Sequence, residues 1–183
     1  MASTLKVQNI AHTGGTTAID INSSGVVTTP AKPAFIATIG GSNNQTGITG
    51  TSSNPTTIIF TTAPTNIGGH YNTTTGKFTA PVAGAYFFCF NLLLSNVDAT
   101  DDNIHIAMIN RFASGSAPEL RYFSRTPGEA AGYIGYGNYL PWGGSIMFQM
   151  AVNDTVEMAV GSTGNIDVYG NESQCRFSGF LIG

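Results

Sequence analysis

The stretch AYFFCFNLLL at residues 85–94 is the strongest structural signal in this chain, because nine of its ten side chains are apolar or aromatic. Side chains alternate between the two faces of a β-strand. One face of this strand would carry Tyr86, Phe88, Phe90, Leu92 and Leu94, and the other Phe87, Cys89 and Leu93. A strand with one face in water alternates with polar residues, so this stretch predicts a strand that is covered on both faces.

The second apolar face must be buried against something other than the core of the same domain. The C-terminal strand predicted at 174–182 repeats the pattern, with Phe180 and Ile182 on one face and Phe177 and Leu181 on the other. Burial of a large apolar side chain contributes roughly 1.5–3 kcal/mol, so several such residues favour a self-association interface. Symmetric assembly of identical chains is the simplest source of that cover.

The rest of the chain is also dominated by a period of two and has no convincing helical period. Strands are predicted at residues 35–39, 57–61, 103–111, 120–124, 145–151 and 155–160. Turn residues separate them, including Thr75-Gly76, Asn153-Asp154 and Gly164-Asn165. The predicted fold class is therefore all-β, a sandwich or jelly roll of about eight to ten strands.

Composition excludes several classes of function. Charged residues make up 9% of the chain, against about 25% in average domains. Seven Lys and Arg and a net charge of −3 leave no basic stripe, so we expect no nucleic-acid partner. The longest apolar run is too short to span a bilayer, and residues 1–6 lack a signal-peptide pattern. We therefore expect synthesis in a cytoplasm and no membrane insertion.

Neither the two cysteines nor the three histidines suggest catalysis or a metal site. Cys89 and Cys175 lie far apart, and either a pair of buried thiols or a cross-strand disulfide agrees with the sequence. The histidines are also far apart, and no arrangement of a nucleophile with a base stands out. We expect a protein without enzymatic activity and without a cofactor.

Two groups of residues are candidates for binding. Asp98, Asp101 and Asp102 crowd one predicted loop, where mutual repulsion would favour a calcium ion, although a solvated acidic loop is the ordinary alternative. Aromatic residues recur every third position in the glycine-rich stretch 132–144, at Tyr133, Tyr136, Tyr139 and Trp142. These four are candidates for recognising a host glycan or receptor, with burial at a sheet edge or subunit seam as the alternative.

An ordered set of motifs resembles the complement C1q-like globular head, which is one of the tumour-necrosis-factor-like jelly rolls. The motifs are NIGGHY at 66–71, TGKFTAPVAGAYFF at 75–88 and FSGFLI at 177–182. The segment VNDTV at 152–156 matches a further family turn, with Asn153 where the family has glycine. The resemblance covers about residues 33–183, and it implies a jelly roll of about ten strands that forms tight homotrimers. The candidate trimer-interface residues are Tyr86, Phe88, Phe90, Leu92, Phe180 and Ile182.

The first thirty-two residues have a different character and are too few to bury a core alone. Two short alternating segments with intervening turns end at Pro30 and Pro33, which bracket the junction with the predicted domain at 33–183. The segment resembles the short leaders that precede variable tips in fibre proteins of marine bacteriophages. That resemblance implies a virion structural protein, a fibre tip or a head or tail appendage, made in the host cytoplasm. Residues 1–32 would then serve attachment to other virion proteins or oligomerisation. A dedicated carbohydrate- or receptor-binding module outside a phage is the alternative.

Overall fold

The computed structural model describes residues 6–41, 44–97, 103–127 and 139–183, which form three antiparallel sheets and no helix within those ranges. The small N-terminal sheet contains β1 (Asn9–Ala11), β2 (Thr17–Ile21) and β3 (Val27–Thr28). The seven-stranded sheet contains β4 (Ala34–Thr38), β5 (Gln45–Ile48), β7 (Thr62–Ile67), β10 (Gly84–Ser95), β13 (Leu140–Met150), β15 (Ile166–Val168) and β16 (Arg176–Leu181). The six-stranded sheet contains β6 (Thr56–Thr57), β8 (Tyr71–Asn72), β9 (Lys77–Thr79), β11 (Asn103–Arg111), β12 (Glu119–Pro127) and β14 (Thr155–Ser162).

The central strand of the seven-stranded sheet is β10, which contains the AYFFCFNLLL stretch. It pairs with β13 along its length, from Gly84 opposite Met150 to Leu94 opposite Leu140. Its other edge pairs with β16, which pairs with β4, which pairs with β7. This all-β sandwich is the jelly roll that the sequence predicts.

The core lies between the two large sheets. From β10 the side chains of Tyr86, Phe88 and Leu92 point into it, each at most 1% exposed. The six-stranded sheet supplies Ile106 and Met158, both fully buried. Aromatic rings in contact with one another fill much of this space, and each buried ring removes some 150–250 Å² from water, so the cluster contributes a large share of the buried apolar area.

The FSGF motif has a steric explanation at its glycine. A Cβ atom on Gly179 would lie 2.4 Å from Cδ1 of Phe88 and 3.0 Å from Cε1 of Phe35, closer than side-chain atoms approach. Glycine therefore lets β16 pass directly beside these two rings, while Phe177 anchors the strand in the core with no exposed surface.

The strand predicted at 57–61 is wrong for most of its length. Ile58 and Phe60 are fully buried, but they lie in the connection between β6 and β7. The backbone N–H of Ile59 donates to Oε1 of Gln45 at 2.9 Å, and that of Phe60 donates to Oη of Tyr71 at 3.3 Å. The N–H of Ile58 still donates to the carbonyl of Met158 on β14 at 2.8 Å, but side-chain acceptors bond the N–H groups of the next two residues. Strand pairing therefore stops at Ile58, and the alternation beyond it reflects burial of the side chains.

A buried carboxylate ties together three neighbouring strands of the six-stranded sheet. The Glu157 side chain on β14 is 1% exposed and lies 3.3 Å from Nζ of Lys77 on β9. Nε of Arg111, at the end of β11, donates to its Oε1 at 2.7 Å, and Nη2 lies 2.6 Å from the same oxygen. A charge removed from water needs such partners, so this cluster is structural.

The N-terminal sheet joins the jelly roll through a short hydrogen-bonded junction. The backbone N–H of Leu181 donates to the carbonyl of Pro33 at 3.0 Å, and Nζ of Lys32 donates to the carbonyl of Ile182 at 2.6 Å. Residues 6–32 form the leader, and residues 33–183 form the head.

Candidate functional site on the seven-stranded sheet

The face of the seven-stranded sheet that points away from the core carries a row of apolar side chains across five strands. Strand register places Phe87 of β10 opposite Met147 of β13 on one side and opposite Phe180 of β16 on the other. Phe180 is opposite Ala34 of β4, which is opposite Ile67 of β7. Side chains of paired residues point to the same face, so these five form one continuous row, the apolar stripe.

The apolar stripe is unusually exposed for large hydrophobic residues. Met147 is 62% exposed, Phe180 46% and Ile67 36%, and Ile182 beyond the end of β16 is 43% exposed. The rings of Phe87 and Phe180 contact each other, with centroids 5.5 Å apart. Contiguous apolar patches of this kind mark interaction sites on soluble proteins.

The row beside the apolar stripe consists of small or uncharged side chains. Cys89 is opposite Ser145 and Ser178, and Ser178 is opposite Ile36. Sγ of Cys89 and Oγ of Ser178 are 3.1 Å apart and form a hydrogen bond. This row carries no charge, so another surface can cover it without burying an unpaired charge.

The structure corrects part of the predicted interface. Tyr86, Phe88, Phe90 and Leu92 are at most 2% exposed, because the chain's own six-stranded sheet covers them. They are core residues and cannot contact another subunit. Phe180 and Ile182 lie on the opposite face with Phe87, and sequence reasoning missed Met147 and Ile67 as their neighbours. The apolar character of Met147 in a predicted strand was a signal, but only strand register places it beside Phe87.

The two cysteines are free thiols in different surroundings. Cys89 is half-buried on the sheet face described above, whereas Cys175 is fully buried. Sγ of Cys175 donates to the carbonyl of Tyr169 at 3.0 Å, and burial raises the pKa of this thiol above its usual value. Of the two open alternatives, free thiols and a disulfide, the structure has the free thiols.

The structure describes two of the four predicted receptor-binding aromatics, Tyr139 and Trp142, near the start of β13. Tyr139 is 48% exposed and packs edge-on against Tyr169, with ring centroids 5.5 Å apart. These two rings line an open cleft of about 500 Å³ with Leu93, Pro141 and Gln174. Trp142 is half-buried and packs against the core, where its Nε1 atom has no hydrogen-bond partner among the described residues. Tyr133 and Tyr136 lie outside the described residues, and Tyr169 is a member of this cleft that sequence reasoning missed.

The predicted calcium residues Asp98, Asp101 and Asp102 also lie outside the described residues. Within the part of the chain that the structure describes, no cluster of three or more His, Cys, Asp or Glu side chains could hold a metal ion. Within the same residues, no helix is long and apolar enough to cross a membrane.

Comparisons with known proteins agree with this geometry. A family model described as the C1q domain matches residues 41–116. Human complement C1q tumor necrosis factor-related protein 3 is 50% identical over 36 residues, which are 20% of this chain and 15% of that protein. A complement C1q subcomponent from rat is 39% identical over 68 residues, which are 32% of this chain and 28% of that protein. The matches thus span less than a third of these curated relatives' lengths.

Similar solved structures cover more than four fifths of the chain. The globular domain of zebrafish complement 1qA superimposes with a TM-score of 0.54 at 16% identity, over 83% of this chain and 98% of that one. Murine APRIL superimposes with a TM-score of 0.57 at 10% identity, over 82% of this chain and 98% of that one. At these identities the structures establish the fold, and the family model with the matching motifs adds the sequence evidence. The chain therefore has the jelly-roll fold of these heads, and its residues 41–116 are similar to the C1q domain.

Proposed function

We propose that this protein is a non-enzymatic binding or structural module that works as a homotrimer, with the apolar stripe as its subunit interface. The observation that supports this proposal most directly is that Met147, Phe180 and Ile67 are exposed in one continuous row on a single face of the sheet. A monomer would leave this patch in water. Three copies that each place the stripe against a neighbour would cover it symmetrically, as the resemblance to C1q-like heads implies.

The chemistry of the face suits contact between identical chains. The stripe and the row beside it are apolar or small and uncharged, so their burial costs little electrostatic desolvation. Each large apolar side chain contributes roughly 1.5–3 kcal/mol when it is fully buried, and three protomers contribute together. Obligate oligomer interfaces are apolar in this way, whereas transient ones are more polar.

Cys89 provides a natural probe of this proposal, because it lies on the proposed interface, whereas Cys175 is fully buried inside the protomer itself. We expect sedimentation of the purified chain at micromolar concentration to give three times the protomer mass. We also expect neither native thiol to react rapidly with a thiol-specific reagent, because the neighbouring subunit covers Cys89. A stable monomer with one fast-reacting thiol would refute the trimer.

A matched pair of variants distinguishes a specific effect on the subunit interface from a general loss of solubility. Met147→Glu introduces a charge into the stripe and should give a monomer in which Cys89 reacts. Val152→Glu is the control, since Val152 is 48% exposed in the turn after β13, away from the stripe. The control should stay trimeric with Cys89 protected. Equal behaviour of the two variants would contradict the assignment of the interface.

We propose that this trimer is part of a virion. The chain would be synthesised in the host cytoplasm, and the leader would attach the trimer to other virion proteins. The support is the resemblance of the leader to leaders of marine phage fibre proteins. Mass spectrometry of purified particles tests the placement, with peptides from the head expected at a copy number that is a multiple of three. Particles that lack the chain would refute it.

The cleft beside Tyr139 and Tyr169 supports a second role in recognition of a host glycan. Two perpendicular rings beside the amide of Gln174 offer a stacking surface and a polar group, the combination that sugar recognition uses. We expect the purified protein to bind host cells and Tyr139→Ala to lose that binding without loss of the trimer. Host-cell binding that survives this substitution would exclude the cleft.

A further inference from the structure

The leader is a three-stranded sheet whose two faces differ in chemistry. Ile10 is opposite Ile19, and Ile21 is opposite Val27. Because Ile19 and Ile21 are two residues apart on β2, all four point to the same side, which we call the aliphatic face. The other side carries Ala18 and Asp20 from β2, with Asn9 and Thr28 opposite Asp20.

The aliphatic face points away from the head. Ala18 lines an open cleft of about 390 Å³ between the leader and the head, together with Pro81, Val82 and Leu181. Since neighbouring side chains on β2 alternate, the face that holds Ile19 and Ile21 is turned outward. Val27 is 60% exposed and Ile10 is 51% exposed. Ile19 and Ile21 between them are half-buried, so the outer strands of the leader leave this apolar face partly open to solvent.

Two well-formed turns fix this sheet locally. Oδ1 of Asn22 accepts the backbone N–H of Ser24 at 3.0 Å and that of Val26 at 2.9 Å, between β2 and β3. Nδ1 of His12 accepts the N–H of Gly14 at 3.0 Å, between β1 and β2. A three-stranded sheet with one apolar face needs a second layer to be stable, so the aliphatic face requires an occupant.

We propose that the aliphatic faces of three leaders pack against one another around the same threefold axis as the heads. This inference rests on the proposed homotrimer. The junction supports it, because Lys32 and Pro33 bond the backbone of Ile182 and Leu181, beside the end of the apolar stripe. Trimeric heads would therefore hold three leaders together at effective concentrations roughly in the millimolar range.

Charge also favours identical copies as the occupant. The aliphatic face carries no ionisable group, and Asp20 lies on the other face. Three copies can therefore close on one another without burying like charges, whereas a partner chosen by charge would find no complementary group on this face.

Adjacent residues on β3 give a matched pair of probes. Val27 is on the aliphatic face and Thr28 is on the opposite face, and both are exposed in the single chain. Full-length Val27→Cys and Thr28→Cys variants, each with Cys89→Ser, are treated with a short bis-maleimide cross-linker. We expect Val27→Cys to give at least about tenfold more covalent dimer than Thr28→Cys, because the tethered thiols face each other and one accessible thiol per chain lets the linker join two chains.

Sedimentation of the same samples separates this inference from the proposed trimer. A trimer with Val27→Cys products that peptide mapping assigns to leader-to-leader links supports the inference. A trimer in which the two variants cross-link equally, or in which Val27→Cys links to a head, overturns the inference alone. A monomer overturns the proposed trimer as well. A link from Val27→Cys to a different protein in purified particles also overturns the inference, since the face would then serve attachment.

Discussion

Truncation of Phe180 in the apolar stripe should weaken trimer assembly by an amount that follows from its exposed area. The residue is 46% exposed in the protomer, and a phenylalanine side chain offers roughly 200 Å², so about 90 Å² is available for the interface. Alanine keeps part of that contact, and the loss of about 60 Å² at about 25 cal/mol per Å² is about 1.5 kcal/mol for each protomer. Three protomers lose about 4.5 kcal/mol, or about 10³-fold in the trimer association constant.

The assay is sedimentation equilibrium of the wild-type chain and Phe180→Ala over a concentration series. Because the association constant of a trimer scales with the inverse square of concentration, the midpoint of assembly should rise by roughly 30-fold. Val152→Ala removes a similarly exposed side chain outside the stripe and should leave the midpoint unchanged. An unchanged midpoint for Phe180→Ala, or equal shifts for both variants, would refute the reasoning.

Three further predictions concern the head. Gly179→Ala should lower the free energy of unfolding by about 1–3 kcal/mol, because its Cβ would overlap the Phe88 ring; urea denaturation measures this, and wild-type stability would contradict it. Arg111→Met should cost about 1.5–3 kcal/mol, because it leaves the buried Glu157 carboxylate with Lys77 as its charged partner. The double variant with Glu157→Met should recover part of that loss, and a thermodynamic cycle without coupling would contradict the pairing. Burial raises the pKa of the Tyr71 phenol, and the hydrogen bond from the Phe60 N–H opposes this more weakly. Because the folded state favours the neutral phenol, the contribution of Tyr71 to the free energy of unfolding is complete below the pKa of about 10 in the unfolded chain. That contribution is lost progressively as the pH rises above about 10. Between about pH 10 and 11.5 the stability of Tyr71→Phe should therefore fall less steeply than that of wild type, by up to about 1.4 kcal/mol per pH unit, and equal slopes would contradict this.

The sequence predicts the fold class and most of the strands because these depend on local chemistry. A period of two marks strand β11 at its observed bounds and both apolar faces of β10, and glycine and asparagine mark the turns between strands. The same reasoning fails at 57–61, where Ile58 and Phe60 alternate like a strand but lie in a connection. Local alternation records which side chains are buried, and it does not record whether a neighbouring strand pairs with the backbone.

The candidate site depended on the tertiary structure. Alternation divides β10 into two sets of side chains, but it is symmetric and does not say which set the second sheet covers. Packing against the six-stranded sheet placed Tyr86 inside and left Phe87 outside. Strand register then joined Phe87 to Met147 and Phe180, which lie far away along the chain. Local alternation in the sequence is enough to predict a strand that is apolar on both faces. The tertiary structure was needed to show which face the second sheet covers and which stays exposed, because pairing between distant strands sets that choice.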